Sequence, residues 1–82
     1  SCFTPICSPT VGIFQWSEPG RPRLAEEGIA VPAGQKLGII ETGKGKFIPV
    51  TAASPGRLAR VMVDAGAAVE FGQPLFFLEA AN

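Results

Sequence analysis

Two stretches of this chain read almost alike. Residues 28–41 run GIAVPAGQKLGIIE and residues 66–79 run GAAVEFGQPLFFLE. Seven of the fourteen positions are identical at a constant offset of 38: Gly28/Gly66, Ala30/Ala68, Val31/Val69, Gly34/Gly72, Gln35/Gln73, Leu37/Leu75 and Glu41/Glu79. Two copies are too few for a solenoid, which needs about three stacked units or more. The pattern predicts one small domain made of two similar halves related by a pseudo-twofold axis. The junction Glu41–Val50 becomes the turn where the first half hands over to the second.

The likeness continues upstream, where Ser8-Pro9 and Gly12 echo Ser54-Pro55-Gly56. From Gly12 to Gly28 is 16 residues, whereas from Gly56 to Gly66 is 10, so the first half is six residues longer. The extra residues fall in the charged, Pro/Gly-rich stretch SEPGRPR, Ser17–Arg23. One half therefore carries a protruding loop that its partner lacks, about residues 15–23. Trp16 is expected to anchor the base of that loop.

With 82 residues the chain is read as a single domain, 1–82. Its 10 Gly and 8 Pro break it into short segments, while 46% apolar residues make it too hydrophobic for a disordered linker. Short strands between turn-formers predict an all-β fold. Strands are expected around Val11–Phe14, Leu37–Glu41, Phe47–Val50, Leu58–Val63 and Leu75–Glu79. Turns are expected at Pro32–Gly34, Gly43–Gly45, Ser54–Gly56, Asp64–Gly66 and Gly72–Pro74. Gly28 and Gly66 are read as positions that need a positive φ. Leu37/Leu75, Ile40/Leu78, Phe14, Phe47, Phe71, Phe76 and Phe77 are the core candidates, Glu26-Glu27 a solvated edge. Glu41 and Glu79 are expected to share one structural role.

Seven Lys plus Arg balance seven Asp plus Glu, which argues against a nucleic-acid binder. No apolar run approaches the ~18 residues of a membrane span. Histidine is absent, which excludes Ser/His/Asp and Cys/His catalysis. Cys2 and Cys7 alone cannot build a four-ligand zinc site, and they are expected to be reduced thiols. Residues 38–44, GIIETGK, satisfy most of a phosphate-binding loop, but Gly45 stands where a Ser or Thr would hold magnesium. The segment Phe47–Val50 reads as strand, so no helix N-terminus supports an anion there.

SPTVGIF at 8–14, EEGIAVPAGQKLGIIE at 26–41 and SPGRLARVMVDAGAAVEFGQPLFFLE at 54–79 together resemble the biotinyl/lipoyl carrier domain family. Nearly the whole chain takes part, and the likeness is strongest to the biotin carboxyl carrier protein of acetyl-CoA carboxylase. The resemblance implies a barrel-sandwich hybrid, a flattened β-barrel of two quasi-twofold halves. It also implies that Gln15–Arg23 is the thumb of the biotin branch, which lipoyl domains lack.

In the family a lysine at the tip of a central hairpin carries the cofactor, within Glu-Ala-Met-Lys-Met for biotin and commonly Glu-Thr-Asp-Lys-Ala for lipoate. This chain has Glu41-Thr42-Gly43-Lys44-Gly45-Lys46 in a carrier hairpin of about residues 41–50. Counted from Glu41, Lys44 falls on the modified position and implies covalent biotin there, with Lys46 the lesser candidate. Glycines replace both motif methionines, and the hairpin is one residue longer than the family norm. Three readings follow. The first is an active carrier for acetyl-CoA carboxylase and fatty acid biosynthesis, with biotin carboxylase, carboxyltransferase and biotin protein ligase as partners. The second is a non-biotinylated regulatory homologue that joins an active carrier subunit. The third is a lipoyl carrier. None performs chemistry alone, and the first two imply the cytoplasm or the plastid stroma.

Overall fold

The structure, a computed structural model, describes residues 2–80. The chain forms strands β1 (Phe3–Cys7), β2 (Gly12–Gln15), β3 (Ala30–Val31), β4 (Lys36–Gly43), β5 (Lys46–Thr51), β6 (Gly56–Val61), β7 (Ala68–Val69) and β8 (Pro74–Ala80). They make two four-stranded sheets, ordered β1-β8-β6-β3 and β5-β4-β2-β7, with every pairing antiparallel. The expected all-β barrel-sandwich architecture is the one observed.

The pseudo-twofold is visible strand by strand. Replacing β1, β2, β3 and β4 by β5, β6, β7 and β8, and the reverse, converts one sheet order into the other. Backbone hydrogen bonds between the halves obey the same exchange. The Gly66 N–H donates to Phe14 O at 2.8 Å, as Gly28 N–H donates to Leu58 O at 2.7 Å. Gly72 N–H donates to Ser8 O at 2.8 Å, as Gly34 N–H donates to Ala52 O at 2.7 Å. All four donor glycines have positive φ, 94° and 88° at Gly28 and Gly66, 86° and 81° at Gly34 and Gly72. A side chain there would strain the backbone, which explains why the repeat keeps glycine at these turns.

Gly12 and Gly56 are paired for a different reason. A Cβ on Gly12 would sit 2.5 Å from Glu41 O and 2.6 Å from Ile40 Cγ2, and a Cβ on Gly56 would collide with Glu79 O. The obstacle is backbone, which cannot turn aside as a side chain can. Gly12→Ala and Gly56→Ala are each expected to cost about 1–3 kcal/mol, read as a lower midpoint in urea denaturation.

The inward faces of the two sheets meet in one core. Phe14, Leu37, Ile40, Leu58, Leu75 and Phe76 are fully buried, with Val31, Val50, Val69 and Leu78 around them. Leu37 and Leu75 occupy equivalent buried positions, as the repeat predicts. Phe14 sits edge-on to Trp16 (centroids 5.0 Å apart) and to Phe76 (5.7 Å). Leu75→Ala is expected to lose about 2–5 kcal/mol in the same denaturation measurement.

Four expectations need correction. β1 precedes the strand expected to come first; Pro5 at its centre hid it, and Pro5 is tolerated because β1 pairs only with β8. Its counterpart Pro49 lies in β5, the edge of the other sheet. Phe71 is not core but 78% exposed, in a turn, like its repeat counterpart Ala33. Phe47 and Phe77 are half-buried and stand outside the core cluster. Glu27 is more than a solvated edge: its Oε2 accepts a 2.8 Å hydrogen bond from Val61 N–H, near the end of β6 where the two-residue β3 no longer pairs.

Cys2 and Cys7 are exposed and unpaired. No helix among the described residues is long and apolar enough to cross a membrane.

Candidate functional site

β4 and β5 are the longest antiparallel pair in their sheet, and the turn between them presents Lys44. Glu41 pairs with Phe47 and Gly43 with Lys46, leaving Lys44 and Gly45 as the two-residue tip. Gly45 takes φ 71° at the second tip position, a conformation that glycine adopts without strain, while Lys44 stays at negative φ. The register slips by one residue between Glu41 and Gly43. That bulge sits directly beneath the two-residue tip that holds Lys44. Lys46 lies within β5, cross-strand from Gly43, and is also exposed.

The tip is open from Thr42 to Lys46, and every residue in it is exposed. Lys44 has no hydrogen bond or ion pair with any described residue. A primary amine on a short, solvent-exposed turn can be reached by a large enzyme and can carry a long group without displacing the core. The hairpin below it is anchored in the core: Val50, Ile40 and Leu37 are buried. These features fit a covalent acyl attachment.

The thumb rises from the neighbouring strand. Trp16 O accepts from Leu24 N–H at 3.1 Å and closes the loop at its base. Within it, Arg21 N–H donates to Glu18 O at 3.0 Å, with Pro19 and Gly20 (φ 77°) at the corner. Pro then Gly at these two positions is a type II turn pattern. The Ser17 hydroxyl donates to Arg21 O at 2.8 Å and braces the same turn. Trp16 is half-buried against Phe14 and Phe76, and the Arg23 guanidinium lies 3.5 Å from the centre of its ring. Arg23 Nε also donates to Ala25 O at 2.7 Å. Trp16 thus holds the thumb's root, as expected, but the cation on its outer face was not foreseen. The signal available was an arginine near the tryptophan in a proline-limited loop.

The thumb lies across the outside of β4 and β5. Ser17, Glu18, Arg21 and Leu24 face Ile39, Phe47 and Pro49 over a groove of about 170 Å³. Ile39 is 3% exposed although it stands outside the core cluster, because the thumb covers it. Phe47 carries the groove to within three residues of Lys44. Deleting Glu18–Arg21 is expected to uncover Ile39 and cost about 1.5–3 kcal/mol while the fold persists. A thermal melt with an unchanged far-UV spectrum checks this.

Glu41 and Glu79 do not act alike. Their backbone carbonyls crowd Gly12 and Gly56 in the same way, but the side chains differ. Glu79 binds the Arg57 guanidinium (Nη2···Oε1 2.5 Å), whereas Glu41 has Ile13 as its cross-strand partner. Arg57 is half exposed, so Glu79→Gln is expected to shift stability by less than about 1 kcal/mol in chemical denaturation. Among the described residues, no group of three or more Cys, Asp or Glu is placed to hold a metal ion.

Comparison with known proteins converges on this architecture. No curated protein sequence matches the chain. Among solved structures it superimposes on part of a single-chain, multi-domain long-chain acyl-CoA carboxylase, with a TM-score of 0.77 and 26% identity over 98% of this chain and 7% of that one. It also superimposes on part of the Kluyveromyces lactis urea carboxylase, with a TM-score of 0.78 and 26% identity over 95% of this chain and 6% of that one. The chain thus spans only a small fraction of either enzyme. The biotin/lipoyl family model, described as biotin-requiring enzyme, matches residues 4–78. With the match running through both halves, the hairpin and the thumb, the chain belongs to the biotin/lipoyl family of biotin-requiring enzymes.

Proposed function

We propose that this chain is a biotin carboxyl carrier domain of the acetyl-CoA carboxylase system, with Lys44 as the attachment residue. The observation that carries the reading is an exposed, unpartnered lysine at the tip of the β4–β5 hairpin, three residues after Glu41 as in the family motif. Its ε-amine would attack the carboxyl carbon of biotin after a biotin protein ligase has activated it as a mixed anhydride with a nucleotide phosphate; the C–O bond to the phosphate breaks, the nucleotide leaves, and the amine proton goes to solvent. When bound, biotin supplies the ring that takes up and releases a carboxyl group; that chemistry belongs to the cofactor and to the partner enzymes. This chain's own residues do the rest. Gly45 shapes the turn, Ile40 and Val50 root the hairpin in the core, and the thumb holds a groove beside it. Tethering raises the local concentration of the carried group at a biotin carboxylase and then at a carboxyltransferase.

A second reading rests on Gly43 and Gly45. They leave the tip without the two methionine side chains of the biotin motif, so a ligase has less to recognise. A non-biotinylated homologue that joins an active carrier would look like this. The thumb weighs against a lipoyl carrier.

Intact mass after coexpression with a biotin ligase separates these readings. One added biotin per chain supports the carrier. No added biotin, together with retained binding to biotin carboxylase or to an active carrier subunit, would replace it with the regulatory homologue.

A further inference from the structure

The pseudo-twofold relates two outer sheet faces, and among the described residues only one is covered. On the β5-β4-β2-β7 sheet the thumb lies over Ile39, Phe47 and Pro49. The corresponding positions on the β1-β8-β6-β3 sheet are Phe77, Phe3 and Pro5, and the second half has no thumb to lay across them. Phe3 is 54% exposed and Phe77 half-buried. Together with Arg57, Ala59 and Arg60 these two aromatics line a hollow of about 330 Å³.

The two faces also differ at one equivalent cross-strand pair, although Lys36 and Arg21 line the covered groove as well. Where the covered sheet has Ile13 opposite Glu41, the open sheet has Arg57 opposite Glu79. Arg57 is engaged by Glu79. Arg60 is exposed and has no hydrogen bond or ion pair with any described residue. The open hollow therefore combines an aromatic floor with two guanidinium groups against one carboxylate.

We propose that this hollow docks an acidic, Pro/Gly-bent loop of a partner polypeptide, laid across the open sheet as the thumb is laid across the other. The thumb shows the kind of backbone such a face accepts: a Pro/Gly-bent loop, closed by its own hydrogen bonds, with a small apolar contact. The arginines select its charge, since a carboxylate matches the fork of Arg60 and completes the pairing that Glu79 leaves short. The thumb of a second copy is a poor occupant. Residues 16–24 carry one Glu and two Arg, which would bring like charge to Arg60. The proposal does not depend on attachment at Lys44.

The test uses the isotope-labelled wild-type chain without biotin, so that its outcome is separate from that of the carrier reading. The probe is the synthetic peptide Trp-Ser-Glu-Pro-Gly-Glu-Pro-Glu-Leu, which is the thumb sequence 16–24 with glutamate at both arginine positions. The expected result is saturable amide shifts at Phe3, Arg57, Ala59, Arg60 and Phe77, weakened by added salt. Arg60→Glu, a surface change whose dispersed spectrum checks its fold, is expected to weaken binding about tenfold or more. No saturable shift at these amides up to millimolar peptide would overturn the proposal, as would shifts centred on the Lys44 tip. Equal binding by Arg60→Glu would also overturn it. If the same amides shift with protein concentration alone, the occupant is a second copy and the proposal fails.

Discussion

Phe14→Ala is expected to lower stability by about 3–5 kcal/mol. Phe14 is fully buried between the sheets, and it touches both aromatics that connect the halves: Phe76 of β8 and Trp16 at the root of the thumb. Its ring also lies against Gly38, where a Cβ would come within 2.7 Å of it. That tight fit leaves no neighbouring side chain on the Gly38 side to fill the space after truncation. Domains have about 5–15 kcal/mol of stability in total, and one of this size sits toward the low end. The variant should therefore unfold at markedly lower urea, with the slope of the transition unchanged. Trp16 fluorescence should report the same midpoint as circular dichroism if the thumb root melts with the core. An early Trp16 transition would show that the thumb is held only by Arg23 and its own turn.

Lys44→Arg is expected to abolish biotin incorporation, whereas Lys46→Arg should leave it intact. Both side chains are exposed, both stay cationic after substitution, and neither is packed against the core, so stability should not move. The difference lies in position. Lys44 is on the two-residue tip, while Lys46 is in β5 with Gly43 as its cross-strand partner. Arginine keeps the charge but lacks a primary amine that can form the amide. Mass spectrometry of the two variants after coexpression with a ligase gives an all-or-none answer. Label that persists in Lys44→Arg and disappears in Lys46→Arg would move the attachment point into the strand and defeat the assignment. Gly43→Met with Gly45→Met tests the recognition side: restored methionines should raise the labelling rate if the ligase reads them. That pair also places a side chain at φ 71°, which calls for a parallel melt.

The two halves of the fold were legible because their constraints are local and repeat. A turn that needs positive φ needs glycine wherever it occurs, so Gly28/Gly66 and Gly34/Gly72 mark equivalent corners before any contact is known. Leu37 and Leu75 follow at a fixed distance and must both face the core. The six-residue difference between the halves located the thumb, and glycines around Lys44 marked a turn. Phe71 is the exception: its aromatic character points to the core, but its place in the repeat, opposite Ala33, is a turn. β1 was missed because proline interrupts a strand pattern, and only the pairing scheme shows that this strand lies at an edge.

The pseudo-twofold, the all-β class, the place of the insertion and the lysine nearest the hairpin tip are all legible in the residue order. Each follows from spacing and backbone chemistry along the chain. Only the paired strands reveal the bulge beneath Lys44. The tertiary structure alone put Arg23 on Trp16, closed Val61 with Glu27, and covered Ile39 while leaving Phe3 and Phe77 open. These are contacts between side chains from separate loops and strands, and their geometry depends on how the two sheets pack, which no local pattern encodes.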